Sequence, residues 1–170
     1  EEVITAVLEG QVDIGITVYN QAEHPRLQTL YLYDEELCMY CGVGHPLFDQ
    51  DDAQISIEEM GRHKYITSTR FLPGKELHPF MQEWDSSTHA MHQEARAQLI
   101  LTGNYLGFLP VELVNTWGWK ERLRPLKPDL FSYHCSYYAF AKASALKGLP
   151  VETFFEVLRL WKPDNNKYYY

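Results

Sequence analysis

Val7-Leu8-Glu9-Gly10-Gln11-Val12-Asp13-Ile14-Gly15-Ile16 carries a helix into a strand within one short run. Val3, Ile4, Val7 and Leu8 recur three and four apart, the period of an amphipathic helix, and Gly10 stands where such a helix stops. Val12, Ile14, Ile16 and Val18 then alternate with Asp13, Gly15 and Thr17, the period of a strand. A helix feeding a strand is half of a βαβ unit, so the run predicts an α/β protein. The opening helix has no N-cap, and the unit expects an earlier strand joined by a right-handed crossover. The expectation is therefore a chain cut upstream of Glu1, with a strand missing beside Val12 to Val18.

Working outward, 27–32 and 37–43 read as two strands broken by the acidic run Asp34, Glu35, Glu36. Ser56 with Glu59 forms a capping-box pattern for a short helix over 57–60 that stops at Gly61. A strand over 64–69, a Pro73-Gly74 turn and a helix over 75–84 follow. The next unit is the most orderly: a strand over 88–92, a helix over 94–102 closed by Gly103, and a strand over 106–109 ended by Pro110. A helix over 112–117, a short extended piece over 123–126 and an aromatic strand over 131–141 lead to a final helix. Pro150 sits in its first turn, and Phe154, Phe155, Val157, Leu158 and Trp161 repeat at helical spacing. The Tyr-ended tail, 163–170, has no periodicity and reads as flexible.

Composition narrows the function. With 45% hydrophobic residues in 170, the chain can bury a core. A net charge of −8 with no basic stripe argues against nucleic acid as a partner of this segment by itself. Three cysteines at irregular spacing argue against a disulfide framework and for a reducing cytoplasm. No apolar run reaches the roughly 20 residues of a membrane span.

The opening run closely resembles the helix-Gly-strand signature of the sensor domains of bacterial LysR-type transcriptional regulators. Further marks follow in the order of that family: Glu36-Leu37 leading to His45-Pro46-Leu47, the capped helix before Lys64-Tyr65-Ile66, the Glu94-Ala95 helix ending in Gly103 to Pro110, and Pro150-Val151. The resemblance covers nearly the whole chain. It implies a two-lobed fold like that of type 2 periplasmic binding proteins, with mixed sheets and an incomplete first lobe. Lobe one would be 1–35 with 128–162, and lobe two 36–127, with a small effector between them. DNA would be bound only through a helix-turn-helix upstream of Glu1. Such sensors pair head to tail, which offers Leu77, Phe80, Met81 and Trp84 as an apolar stripe for a homo-oligomer. The sequence departs from the pattern at Tyr105, where a second glycine is usual, and at His92, where Ser or Thr usually caps the helix.

Thr67, Ser68, Thr69 and Arg70 follow a strand at the edge where α/β folds bind ligands. Their hydroxyls and guanidinium can hold a carboxylate; they can equally build the turn before Pro73. Thr17 and Tyr19 stand at the exit of the first strand and serve either the same effector or a plain strand end. His92 and Gln93, at a helix start, offer donors and a positive dipole end to an anion, or only a cap. Cys38, Cys41 and His45 suggest a metal by spacing, but on a strand the cysteines face opposite ways, so no metal is expected. His89 and His92 likewise read as ordinary polar residues. No nucleophile elbow, phosphate loop or His-Glu-x-x-His motif is present, which argues against catalysis and for no cofactor. The rivals to a regulator's sensor are a transport solute-binding protein of the same fold and, further off, an enzyme built on it.

Overall fold

The computed structural model describes residues 2–18, 24–67, 81, 84–85, 88–144 and 149–161. They fall into two compact units: those of 1–35 with 135–170, and those of 36–134. Ser68, Thr69, Arg70, Tyr19, Leu77, Phe80 and the 163–170 tail lie outside the described residues.

In unit one, α1 (Glu2–Glu9) runs into β1 (Ile14–Val18) through Gly10, whose φ of +77° suits a helix terminus. β1 pairs antiparallel with β7 (Ser132–Lys142), Ile14 opposite Ala141 and Val18 opposite Tyr137. β7 is followed by β2 (Leu27–Gly42), giving the order β1-β7-β2. Alternation along β7 splits the core. Phe140 packs with Val7 of α1, while Ala139 and Ala141 pack with Val151 and Phe155 of α5 (Leu149–Leu160). Each helix thus covers one face of the strands, the α/β layering the opening run predicts.

The acidic run does not break β2, which is continuous across Asp34, Glu35 and Glu36. The neighbouring strand explains why. The Ser136 hydroxyl donates to Asp34 at 2.6 Å, the Tyr137 hydroxyl donates to Glu35 at 3.1 Å, and the Tyr33 and Tyr137 rings stack at 5.0 Å. Partners across the sheet, separated by about a hundred residues of chain, stabilise carboxylates that local propensity disfavours.

Unit two is built on residues 36–42 of β2, which pair antiparallel with β5 (Leu106–Pro110) and β6 (Leu123–Pro125). β3 (Tyr65–Thr67) runs parallel to β5 and to β4 (Thr88–His89), so this sheet is mixed. Met39, Cys41, Tyr65, Leu106 and Phe108 face one core; Cys38, Tyr40, Ile66 and Leu109 face the other. The first core is closed by α2 (Ile57–Gly61), whose N-cap Ser56 accepts from Glu59 N at 3.0 Å as the capping pattern predicts. The second is closed by α3 (Gln93–Leu101) and α4 (Val111–Thr116).

Two further expectations are corrected here. The strand expected over 88–92 ends at His89, and residues 91–92 bend into α3. Trp84 is 7% exposed and its ring lies 5.7 Å from that of Phe131, so it fills the unit's own core and is not available to a partner. The substitution of Tyr105 for glycine is tolerated because the left-handed residue is Gly103, at φ +72°, while Tyr105 keeps a negative φ.

Candidate functional site

The parallel pairing of β3 aligns Ile66 with Thr88 and Thr67 with His89, and places Thr67 at the carboxyl end of its strand. The Thr67 carbonyl accepts from Ala90 N at 3.0 Å, which pins the chain leaving β4 beside it. That chain turns at Met91 and enters α3, with His92 as N-cap in an extended conformation (φ −89°, ψ 137°) and no hydrogen bond from its side chain to the helix. The backbone N–H groups of the first turn, Gln93 included, therefore face outward from the helix end without the usual side-chain oxygen. Thr67, His92 and Gln93 are thus gathered at one edge of unit two. Thr17 is half-buried in β1 of unit one, opposite Tyr138.

A residue that the sequence reading passed over belongs to the same edge. Arg96, one turn into α3, is only 6% exposed, and its Nη1 donates to the Ala90 carbonyl at 3.5 Å. Its charge also reaches Tyr65. Burial pushes the Tyr65 phenol up to about 12, and the Arg96 cation and a side-chain hydrogen bond with Thr67 oppose that rise. Tyr65 and Thr67, alternate residues of β3, share that hydrogen bond. The signal was present in the helix period: Arg96 shares a face with Ala97 and Ile100, both fully buried, so a charge stands inside the apolar stripe.

Cys38 and Cys41 belong to different cores on opposite faces of the sheet. Burial is the main reason their thiols are pushed up, to about 11 and about 12. Among the described residues no group of three or more His, Cys, Asp or Glu side chains is placed to hold a metal ion. His45 instead packs against His63, ring centroids 4.5 Å apart, and its Nδ1 accepts from Leu47 N at 3.1 Å. His89 is exposed at the end of β4.

A strand-end hydroxyl, a helix start and a buried cation thus stand on one mixed α/β scaffold. The profile of the LysR substrate binding domain matches residues 1–161, and the chain belongs to that family. It is 32% identical over 157 residues to the HTH-type transcriptional activator BauR of Pseudomonas aeruginosa, covering 92% of this chain and 51% of that protein. The chain therefore spans about half the length of this curated relative. Among solved structures it is similar to the bromide-bound regulatory domain of HypT from Salmonella typhimurium, with TM-score 0.71, 19% identity, and 93% and 76% of the two chains covered. It is also similar to CrgA of Neisseria meningitidis, with TM-score 0.70, 20% identity, and 93% and 55% covered. At these identities the likeness to the solved structures shows the fold.

Proposed function

We propose that this chain is the effector-sensing part of a bacterial LysR-type transcriptional regulator, in which a small molecule engages the carboxyl end of β3 and shifts a conformational or oligomeric equilibrium read out by a DNA-binding segment. The observation that carries the reading is Thr67, held at the end of a strand parallel to both its neighbours and beside the start of α3. Ligands of open α/β sheets bind at this edge. Family membership favours a regulator over an exported solute-binding protein, and the net charge of −8 leaves DNA contact to residues outside this chain. The effector residues would be Thr67, Ser68, Thr69, Arg70, His92 and Gln93, together with Thr17 and Tyr19, and the effector a small polar molecule such as a carboxylate. The regulator would act in the cytoplasm as a homo-oligomer and catalyse nothing. Among the described residues no helix is long and apolar enough to cross a membrane.

The test is binding of the whole regulator to its promoter fragment with and without candidate effectors, followed by calorimetry on Thr67→Val. Removing one hydroxyl hydrogen bond should cost roughly 0.5–1.5 kcal/mol, about two- to twelvefold in effector affinity. A regulator whose promoter binding and oligomeric state respond to no small molecule would sink the reading. An unchanged affinity in Thr67→Val would move the site away from β3.

A further inference from the structure

α5 buries one side and leaves the other bare. Val151, Phe155 and the partly buried Leu158 pack with Leu32, Ala139 and Ala141 of the sheet, which accounts for the inner face. Phe154, Val157, Leu160 and Trp161 stand on the outer side, between 39% and 83% exposed. Trp161 continues the helix, since its N–H donates to the Val157 carbonyl at 2.9 Å, and its ring meets that of Tyr33 edge to face at 6.2 Å. Four of the eleven large apolar side chains exposed among the described residues thus fall within 154–161. Scattered singly, such residues need no partner; gathered in one helical stripe, they mark an interaction surface. The charges beside the stripe indicate what covers it. Glu152, Glu156 and Arg159 lie within about 60° of one another around the helix, on one flank of the stripe. All three are exposed, and no ion pair engages them among the described residues. Like charges four apart, as in Glu152 and Glu156, are unfavourable on a lone helix.

We propose that the outer face of α5 is an interface between two copies of this chain, packed antiparallel about a two-fold axis beside Val157. Val157 is the midpoint between Phe154 and Leu160, so the axis sets Val157 against its own copy and Phe154 against the partner's Leu160. An axis of this kind also carries each flank onto the same flank of the other copy. With a rise of about 1.5 Å per residue, Arg159 then lies within about 1.5 Å of the level of the partner's Glu156 along the helix, and about 4.5 Å from that of the partner's Glu152. Each copy supplies the cation that faces the other's acidic pair. Antiparallel packing further sets the positive end of each helix beside the negative end of the other. One face of a 12-residue helix is smaller than a standard stable interface, so the contact belongs to the weak class. The proposal rests on the homo-oligomer of the reading above and names one of its surfaces; neither effector nor DNA enters it.

The experiment uses the whole regulator. Val157→Cys places a thiol beside the axis, while Cys38, Cys41 and Cys135 are buried and stay out of the reaction. With oxidised glutathione as the electron acceptor, Val157→Cys should form a disulfide-linked dimer, whereas wild type and Glu121→Cys, an exposed position of unit two, should not. Sedimentation equilibrium over a range of concentrations then measures self-association. Val157→Asp should weaken one association step by about tenfold or more. Glu156→Arg and Arg159→Glu should each weaken it by about three- to tenfold, and the two together should restore it to within about threefold of wild type. Circular dichroism and the melting point establish that each variant is folded; if Val157→Asp is not, the charge exchange and the cross-link carry the test. Cross-linking of Val157→Cys no greater than that of the two controls would overturn the interface. So would single charge variants that associate as wild type, or a double variant that restores nothing. Protection of Val157→Cys from a thiol reagent without any cross-link would assign the face to another segment of the regulator and overturn the proposal. An oligomer unchanged in every variant would overturn this interface and leave the homo-oligomer standing. A regulator that stays monomeric at every concentration would overturn both.

Discussion

Acid should destabilise this protein, and chiefly through His45. His45 is 4% exposed in the turn after β2, and its Nδ1 accepts from Leu47 N at 3.1 Å, which fixes the neutral imidazole with its proton on Nε2. Nε2 is buried without a hydrogen-bond partner among the described residues, and the His63 ring stands 4.5 Å away. Burial first, and the neighbouring His63 second, hold its pKa down from 6.5 to about 4. A histidine lowered on folding stabilises the native state above its unfolded pKa and loses that contribution as pH falls. The separation corresponds to about 3 kcal/mol in full, of which about 2 kcal/mol is lost between pH 8 and about pH 5. Protonation also turns Nδ1 from an acceptor into a donor facing the Leu47 N–H, so the loss has a structural cause as well as an electrostatic one. His63, lowered chiefly by burial, acts in the same direction. Urea denaturation of wild type and His45→Gln at both pH values checks it. The variant should be less stable at pH 8, yet its stability should fall by about 2 kcal/mol less on acidification. Equal pH dependence in the two proteins would refute the argument, because the proton taken up would then belong elsewhere.

Asp52 should be a stabilising tie across unit two. Its carboxylate accepts from Arg124 Nη2 at 2.5 Å and from Lys127 N at 2.9 Å, and Arg124 Nη1 also donates to Leu47 O at 2.7 Å, so Asp52→Asn should cost about 1–3 kcal/mol in denaturant unfolding. A loss under a few tenths of that would show the tie to be an ordinary surface pair. Cys38, Cys41 and Cys135, with thiols pushed up to about 11, 12 and 12 chiefly by burial, should resist a thiol reagent at neutral pH and react on adding urea. Labelling of the native protein at the rate of a free thiol would contradict their placement in the cores.

The fold was legible wherever one element decided its own structure. The period of Val3, Ile4, Val7 and Leu8, the Ser56 cap and the Gly103 terminus are local signals, and each is found in α1, α2 or the end of α3. Legibility failed where the deciding partner was distant in sequence. Three consecutive acidic residues read as a break, because nothing near them in the chain reveals Ser136 and Tyr137 across the sheet. Trp84 read as part of an exposed stripe for a similar reason: a helical period shows which residues share a face, but not whether that face meets a partner or the chain's own Phe131.

The site follows the same logic with a different outcome. Thr67 stood out in the sequence because it follows a strand at the edge where α/β folds bind ligands and because the family resemblance puts an effector loop there. Arg96 was passed over because charged residues on helices are ordinarily solvated, and its neighbours Glu94, Ala95 and Gln98 are indeed exposed. What distinguishes it is register. In the register observed, α3 turns Arg96 inward while Glu94, Ala95 and Gln98 face outward. The burial of Arg96 therefore depends on the rotation of α3 about its own axis. That rotation is set by Ala97 and Ile100, both fully buried against the sheet. Apolar packing that carries no chemistry of its own is what positions the charge.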